Sequence, residues 1–511
     1  MWLKWVTSRS AARAVCIGLA WFAFAWAVAR ACVQAVTGDE AQDYLLFAGR
    51  PNASHWDASA NNHMLNSLLA RMFTSILGLS AFSVRIPTLI GAAIYIYAIY
   101  RLCQAISLEW KIRIPLFTCL VYNPFIFDFF VAGRGYGIAN AFLIGAIAVS
   151  AYWHLRRPDE RELIAATAIS SAFVGLAFSA NFSLAFPGFT AMLFILVWAM
   201  KAVPARRWRL LAAGVIPAFL VVLFIPSWTL LNFHEQIVAG VKSLWETLQS
   251  LVHASTYQPS AYLINPLLMP VFQILRDWIL PVTGALALGQ FVFIVRDRAW
   301  RRNPHTAWLG ALGTLISGVV ILTVLEHRLA YRLFHLLMPV SRTGLYFLPL
   351  VTLMVGIAAA IPAVSSGGAV FRKALIGALC VLSVYYLFCM RLMYFEEWDY
   401  QADLNRGYQV AACYNHERNV QDVEAGWEYH AGMNFLRAES GHETFGPFST
   451  AIPHTAGHQM YILEGNLDRD FINSEGLKVV FKSETTGMVV AARPDLADGP
   501  GDGCYVWPAS P

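Results

Sequence analysis

Roughly eleven stretches of about 18 or more predominantly apolar residues run through this chain, each long enough to cross a bilayer's hydrocarbon core as a helix. They lie near 14–36, 86–103, 113–131, 138–155, 163–180, 184–200, 210–230, 278–295, 306–325, 343–363 and 374–393. Lipid offers no hydrogen-bond partners, so a stretch of this kind satisfies its backbone internally by forming a helix. Composition agrees: 57% of the 511 residues are hydrophobic and 14% charged, where soluble domains carry roughly a quarter charged residues. The sequence predicts an all-α polytopic membrane protein followed by a small α/β soluble domain. The first apolar stretch follows Lys4, Arg9 and Arg13. It is longer than a signal peptide's hydrophobic region and reads as a retained anchor.

Basic residues gather in alternate connections: Lys4/Arg9/Arg13, Lys111/Arg113, Arg156/Arg157/Arg161, Lys201/Arg206/Arg207/Arg209, Arg296/Arg298/Arg301/Arg302 and Arg372/Lys373. These connections are short, so the positive-inside rule places them, with the N-terminus, in the cytoplasm. Segments 37–85, 132–137, 181–183, 231–277, 326–342 and the tail from Tyr394 then face outward. The division is a membrane domain at 1–393, with long outer loops at 37–85 and 231–277, and an extracytoplasmic domain at 394–511. In the tail, 477–482 and 487–493 alternate around Ser483-Glu484-Thr485-Thr486, a hairpin signal. Cys413 and Cys504 are the tail's two cysteines, and an oxidising compartment would allow them to pair. No basic run interleaved with aromatics points to nucleic acid; membrane lipids are the expected surroundings.

The long outer loops direct attention to one face. Thr37-Gly38-Asp39-Glu40 follows the first span. Thr37 as N-cap and Glu40 as the third helical residue make a capping box. That accounts for Glu40 and leaves Asp39 in the first turn, where the helix dipole favours the ionised carboxylate a general base requires. His63, in Asn61-Asn62-His63, precedes an amphipathic run of Leu65, Leu68, Leu69, Met72, Phe73 and Ile76. It reads either as a cap or as a ligand for phosphate or an acceptor hydroxyl. Two surface helices joined by a polar loop would account for the region.

In the next outer turn Arg134 stands between Gly133 and Gly135, beside Tyr136. Its guanidinium suits a lipid phosphate, and equally a snorkelling position beside an interfacial tyrosine. Asp128 would cost about 2.5–3.5 kcal/mol at the bilayer centre, so it is expected to face a cavity or pair with Arg134. Late in the chain Arg328, Arg332 and His335 share one helical face, with Arg342 following. Three outward arginines run against the positive-inside bias and suggest an anion, whether a specific ligand or a lipid headgroup. Asp39, Glu40, Asp128 and the nearby histidines could hold a divalent metal, although no ligand spacing demands one and no Cys/His spacing resembles a zinc site.

At these residues the chain resembles the GT-C superfamily of membrane glycosyltransferases, above all the bacterial relatives of protein O-mannosyltransferases and the lipid A aminoarabinose transferase. The resemblance rests on Thr37-Gly38-Asp39-Glu40, Asn61-Asn62-His63-Met64-Leu65, Ser83-Val84-Arg85-Ile86-Pro87, and Asn123-Pro124-Phe125 through Ala132-Gly133-Arg134-Gly135-Tyr136. It covers roughly 10–200 by motif and the remaining membrane region by topology, with little in the tail. It implies an inverting transfer from a polyprenyl-phosphate-linked sugar to a lipid, glycan or protein acceptor, at the outer face of a bacterial plasma membrane. Asp39 would be the base and Glu40 would support it, with Asp128 as a second acid. Arg134, and more loosely Arg328 or Arg332, would neutralise the leaving phosphate, with Tyr136 and His63 in the substrate site. The family's His-Pro pair reads His63-Met64 here. A transporter or lipid flippase is the alternative, but transporters set charge near the midplane and often carry repeats. Here charge gathers at one face and no repeat is evident.

Overall fold

The computed structural model describes residues 9–49, 54, 56–156, 159–232, 240–257, 266–297, 301–441 and 446–497. Its first half holds α1 (Arg9–Val33), α2 (Gly38–Asp43), α3 (Met64–Leu77), α4 (Ala81–Ile106), α5 (Trp110–Val121), α6 (Pro124–Asp128), α7 (Gly135–Arg156), α8 (Glu160–Ala180), α9 (Ala185–Ala202) and α10 (Arg207–Phe224). There follow α11 (Ser227–Leu231), α12 (Leu244–Ser255), α13 (Met269–Arg296), α14 (Pro304–Phe334), α15 (Phe347–Ala360) and α16 (Ser366–Phe388). The C-terminal unit contains α17 (Leu404–Arg418), β1 (Val423–Ala425), α18 (Trp427–Ser440), β2 (Met460–Glu464), α19 (Arg469–Ser474), β3 (Lys478–Lys482) and β4 (Met488–Ala492).

Among the described residues nine helices are long and apolar enough to cross a membrane. Two of the predicted spans are shorter than expected. At 113–131 the apolar run continues but the helix does not: α5 stops at Val121, and Asn123 caps α6, its side-chain oxygen accepting from the Phe125 and Ile126 amides at 3.1 Å. At 343–363 only the 14-residue α15 forms, after a 3₁₀ turn at Ser341–Gly344. Hydropathy counts apolar residues and does not register a cap within them.

The bundle is ordered around α7, which packs along both α4 and α8 and is buried over most of its length. By contrast α10 and α13 turn large side chains outward, among them Trp208, Phe219, Ile274 and Leu288. Bare helix faces of this kind suit contact with lipid. Close approach at the start of α7 needs glycine. A Cβ on Gly135 would run into the Ala180 carbonyl and His63, and one on Gly137 into the Phe129 carbonyl. Backbone carbonyls of neighbouring segments fill the space beside both glycines.

The sheet runs in the order β1-β2-β4-β3, with β1 and β2 parallel and the other pairs antiparallel. The predicted hairpin is β3–β4, with a register shift between Val479 and Phe481. Cys413 is disulfide-bonded, while Cys504 lies outside the described residues. Glu424 of β1 is fully buried and accepts from Thr455 Oγ1 at 2.6 Å, with His454 Nδ1 at 2.6 Å and His458 Nε2 at 3.2 Å. Tyr461, Leu463, Ile472 and Val489 form a small cluster within the unit, but its larger core is shared with the membrane region. Tyr408, Tyr429, Phe435, Ile462 and Val490 pack in one apolar cluster with Ala35, Val36, Ala41 and Val84 from the membrane region.

Gly135→Ala is expected to destabilise the protein by about 1–3 kcal/mol, the usual cost of overpacking. Gly284→Ala, whose added methyl meets nothing within 4 Å, serves as the comparison and is expected to cost nothing. Thermal unfolding in detergent reads both. Equal midpoints for the two variants would show that the α7 approach is not tight.

Candidate active site

The turn after α1 is fixed by the capping box the sequence predicts. Thr37 Oγ1 accepts from the Glu40 amide at 3.1 Å, and Glu40 Oε2 accepts from the Thr37 amide at 2.8 Å. Glu40 also meets Arg85 through two 2.8 Å bonds, and its Oε1 accepts from the Gly133 amide at 2.5 Å. Arg85 in turn donates to the carbonyls of Ala31, Gln34 and Ala35. Burial pushes the Glu40 carboxyl upward, but the Arg85 guanidinium and the amide hydrogen bonds outweigh it and hold the group below the ordinary carboxylate range. Both Glu40 oxygens are taken by the framework and none of the residue is exposed, so Glu40 positions its neighbour.

Asp39 is different: its side chain is 24% exposed. Its Oδ2 lies 2.9 Å from Arg342 Nη1, which also reaches Glu397 Oε1 at 3.0 Å. Trp398 lies beneath this arginine, with 5.8 Å from guanidinium carbon to ring centre. Arg134 reaches the same turn from the other side, donating to the Asp39 carbonyl at 3.0 Å and to Asp43 Oδ1 at 2.9 Å. Asp43 is pushed up to about 7: burial raises it, the Arg134 charge only partly offsets that, and the Asp39 charge raises it further. His63 packs edge-on against Tyr136 at 4.9 Å, and its buried Nε2 has no hydrogen-bond partner. Burial, then the Arg134 and Arg342 charges, hold His63 well below its ordinary value, so the ring is neutral.

Four expectations need correction or refinement. Asp128 does not pair with Arg134. Its Oδ1 takes Arg30 Nη2 at 2.5 Å, and its Oδ2 accepts from the Glu396 amide at 3.1 Å. It does face a small cavity, lined in part by Arg30, Tyr257, Tyr386 and Arg391. Arg328 and Arg332 lie exposed on the last turns of α14 and make no ion pair among the described residues. The chain instead turns back at His335, at φ 57°, and the 3₁₀ turn brings in Arg342. In the sequence Arg342 left a trace as the third outward arginine. It gave none of Glu397, which comes from the segment assigned to a separate domain. Among the described residues, no three His, Cys, Asp or Glu side chains are grouped to hold a metal ion.

These elements define a polytopic helical membrane protein whose acids and guanidiniums collect at the end of the bundle that carries the C-terminal unit. Among solved structures the chain is similar to ArnT from Cupriavidus metallidurans bound to undecaprenyl phosphate, at 11% identity and TM-score 0.50, over 95% of this chain and 99% of that one. The apo form of the same ArnT gives 12% identity and TM-score 0.49, over 95% and 98% of the two chains. The archaeal oligosaccharyltransferase AglB from Archaeoglobus fulgidus gives 10% and 0.40, over 83% and 64%. No family model and no curated protein matches the sequence. At this identity the first likeness concerns the fold alone.

Asp43 sets a pH dependence. Its folded value near 7 lies above the ordinary 3.8, so the folded chain binds more protons than the unfolded one in between. Its stabilising contribution is complete below the lower value and is lost as the pH rises through the upper one. Between pH 5 and pH 8 the wild-type unfolding midpoint is expected to fall relative to that of Asp43→Asn. Parallel profiles would remove Asp43 as the source.

Proposed function

We propose that the protein is an inverting glycosyltransferase that moves a sugar from a polyprenyl-phosphate carrier to an acceptor at the outer face of a bacterial plasma membrane. The observation that carries this reading is the partly open Asp39 carboxylate held beside Arg342, in a turn whose Asp39 carbonyl and Asp43 are held by Arg134. Asp39 takes the proton of the acceptor hydroxyl as that oxygen bonds to the sugar's anomeric carbon. The bond from that carbon to the phosphate oxygen breaks, and its electron pair leaves on the lipid phosphate. One displacement inverts the centre.

Arg342 is the arginine best placed to meet the charge that grows on the leaving phosphate, and Arg134 holds the turn and adds field. Positioned base catalysis contributes about 10²–10⁴-fold, and charge stabilisation in a site shielded from water contributes more. His63, being neutral, offers a hydrogen bond rather than a charge, with Tyr136 against it. Arg328 and Arg332 are left to meet lipid headgroups. The positive-inside distribution supports an outward site, with the N-terminus in the cytoplasm. The acceptor is a lipid, a glycan or a protein.

Asp39→Asn is expected to lower release of sugar from a labelled polyprenyl-phosphate donor by about 10²-fold or more, with binding of undecaprenyl phosphate retained. Undiminished turnover would take Asp39 out of the mechanism. Lipid movement across vesicles with no sugar transfer by the wild type would favour a flippase.

A further inference from the structure

The charges at the mouth do not suit an anionic ligand as they stand. Asp39, Asp43 and Glu397 face Arg134 and Arg342. The neighbouring pairs Glu40–Arg85, Asp128–Arg30 and Glu396–Arg391 are matched one to one and add no net charge. Three carboxylates thus crowd two guanidiniums, and burial pushes the Asp43 and Glu397 carboxyls upward. A sugar phosphodiester carries one negative charge, and the lipid phosphate it leaves behind carries more. One carboxylate has to withdraw for that anion to be held.

Glu397 is the acid built to withdraw. Asp39 sits in the first turn of α2, anchored by the capping box, and Asp43 is enclosed with Arg134. Glu397 lies outside the helices, between α16 and α17. Its Oε1 shares a single nitrogen, Nη1 of Arg342, with Asp39, and its Oε2 is buried with no hydrogen-bond partner. The backbone around it is fixed. Phe395 and Trp398 are buried, and the Glu396 amide is held by Asp128. A rotation of the Glu397 side chain therefore breaks one ion pair and moves no element.

We propose that Glu397 occupies the place of the donor's phosphate on Arg342 in the empty site and yields it when the lipid-linked donor arrives. The inference rests on the reading of Arg342 as the phosphate's partner. Glu397 keeps a second carboxylate on Arg342 between turnovers and sets a threshold that only a stronger anion crosses. After transfer it competes for Arg342 again and helps the spent lipid phosphate to leave. It touches the ligand's partner rather than the ligand, so it is a positioning residue.

The test is a titration of the full-length protein in detergent with undecaprenyl phosphate, read by native mass spectrometry. Glu397→Gln is expected to bind about tenfold more tightly than wild type, the size of one like charge removed at short range in a partly shielded site. It should also lower the donor KM more than it lowers kcat, since the donor binds more tightly while product release slows. Glu397→Asp, which keeps the charge and shortens the reach, should fall between. Equal or weaker binding by Glu397→Gln would overturn the proposal, because a residue that merely props Arg342 loses affinity when neutralised. Arg342→Gln separates the two claims. If it binds undecaprenyl phosphate as well as wild type, Arg342 is not the phosphate's partner and both readings fall. If it loses binding while Glu397→Gln is unchanged, only the role of Glu397 falls.

Discussion

A carboxylate and a guanidinium sealed from water each lose hydration worth several kcal/mol, and the pair repays this only when every remaining donor and acceptor is met. Glu40 and Arg85 meet that condition. The acid takes two bonds from the guanidinium and one from each of two backbone amides, while the base spends its other hydrogens on three carbonyls at the end of α1. Three separate stretches are tied at one point: the close of the first span, the opening of α4 and the turn before α7. The direction of Asp39 follows from that knot, because the residue next to a fully committed glutamate has no freedom left in its backbone.

The remaining parts of the site come from far apart in the chain. Arg134, Arg342 and Glu397 approach the α2 turn from three different connections. Each is delivered by a local device. Glycines without side chains let the turn before α7 settle against its neighbours, a left-handed residue ends α14, and two buried aromatic rings fix the segment after α16. Charge placed by such devices at the rim of a low-dielectric bundle acts more strongly than the same charge in water.

Much of the architecture was legible because lipid imposes a simple rule on composition. The nine long apolar helices among the described residues, the capping box and the β3–β4 hairpin follow from apolar length and short-range signals. Within the site, the sequence located Asp39 and Arg134 by their turns. For Glu40 it showed the cap and not the ion pair, since a capping signal says nothing of a guanidinium 45 positions away. Arg328 and Arg332 drew attention by helical spacing, yet spacing along a helix does not reveal which end of it meets another loop. Glu397 was invisible because the rise in polarity after Arg391 looked like a border. Polarity marks where lipid ends; it does not mark where packing ends.

That border has a consequence for how the two regions depend on each other. Ala35, Val36 and Ala41 fill the same apolar cluster as Tyr429 and Ile462, and the Gly38 amide donates to Gln401 Oε1 at 2.7 Å. The tail is thus part of the wall behind the acid rather than an appendage hung from the last helix. A chain cut short after α16 would lose the surface against which the turn carrying Asp39 is packed.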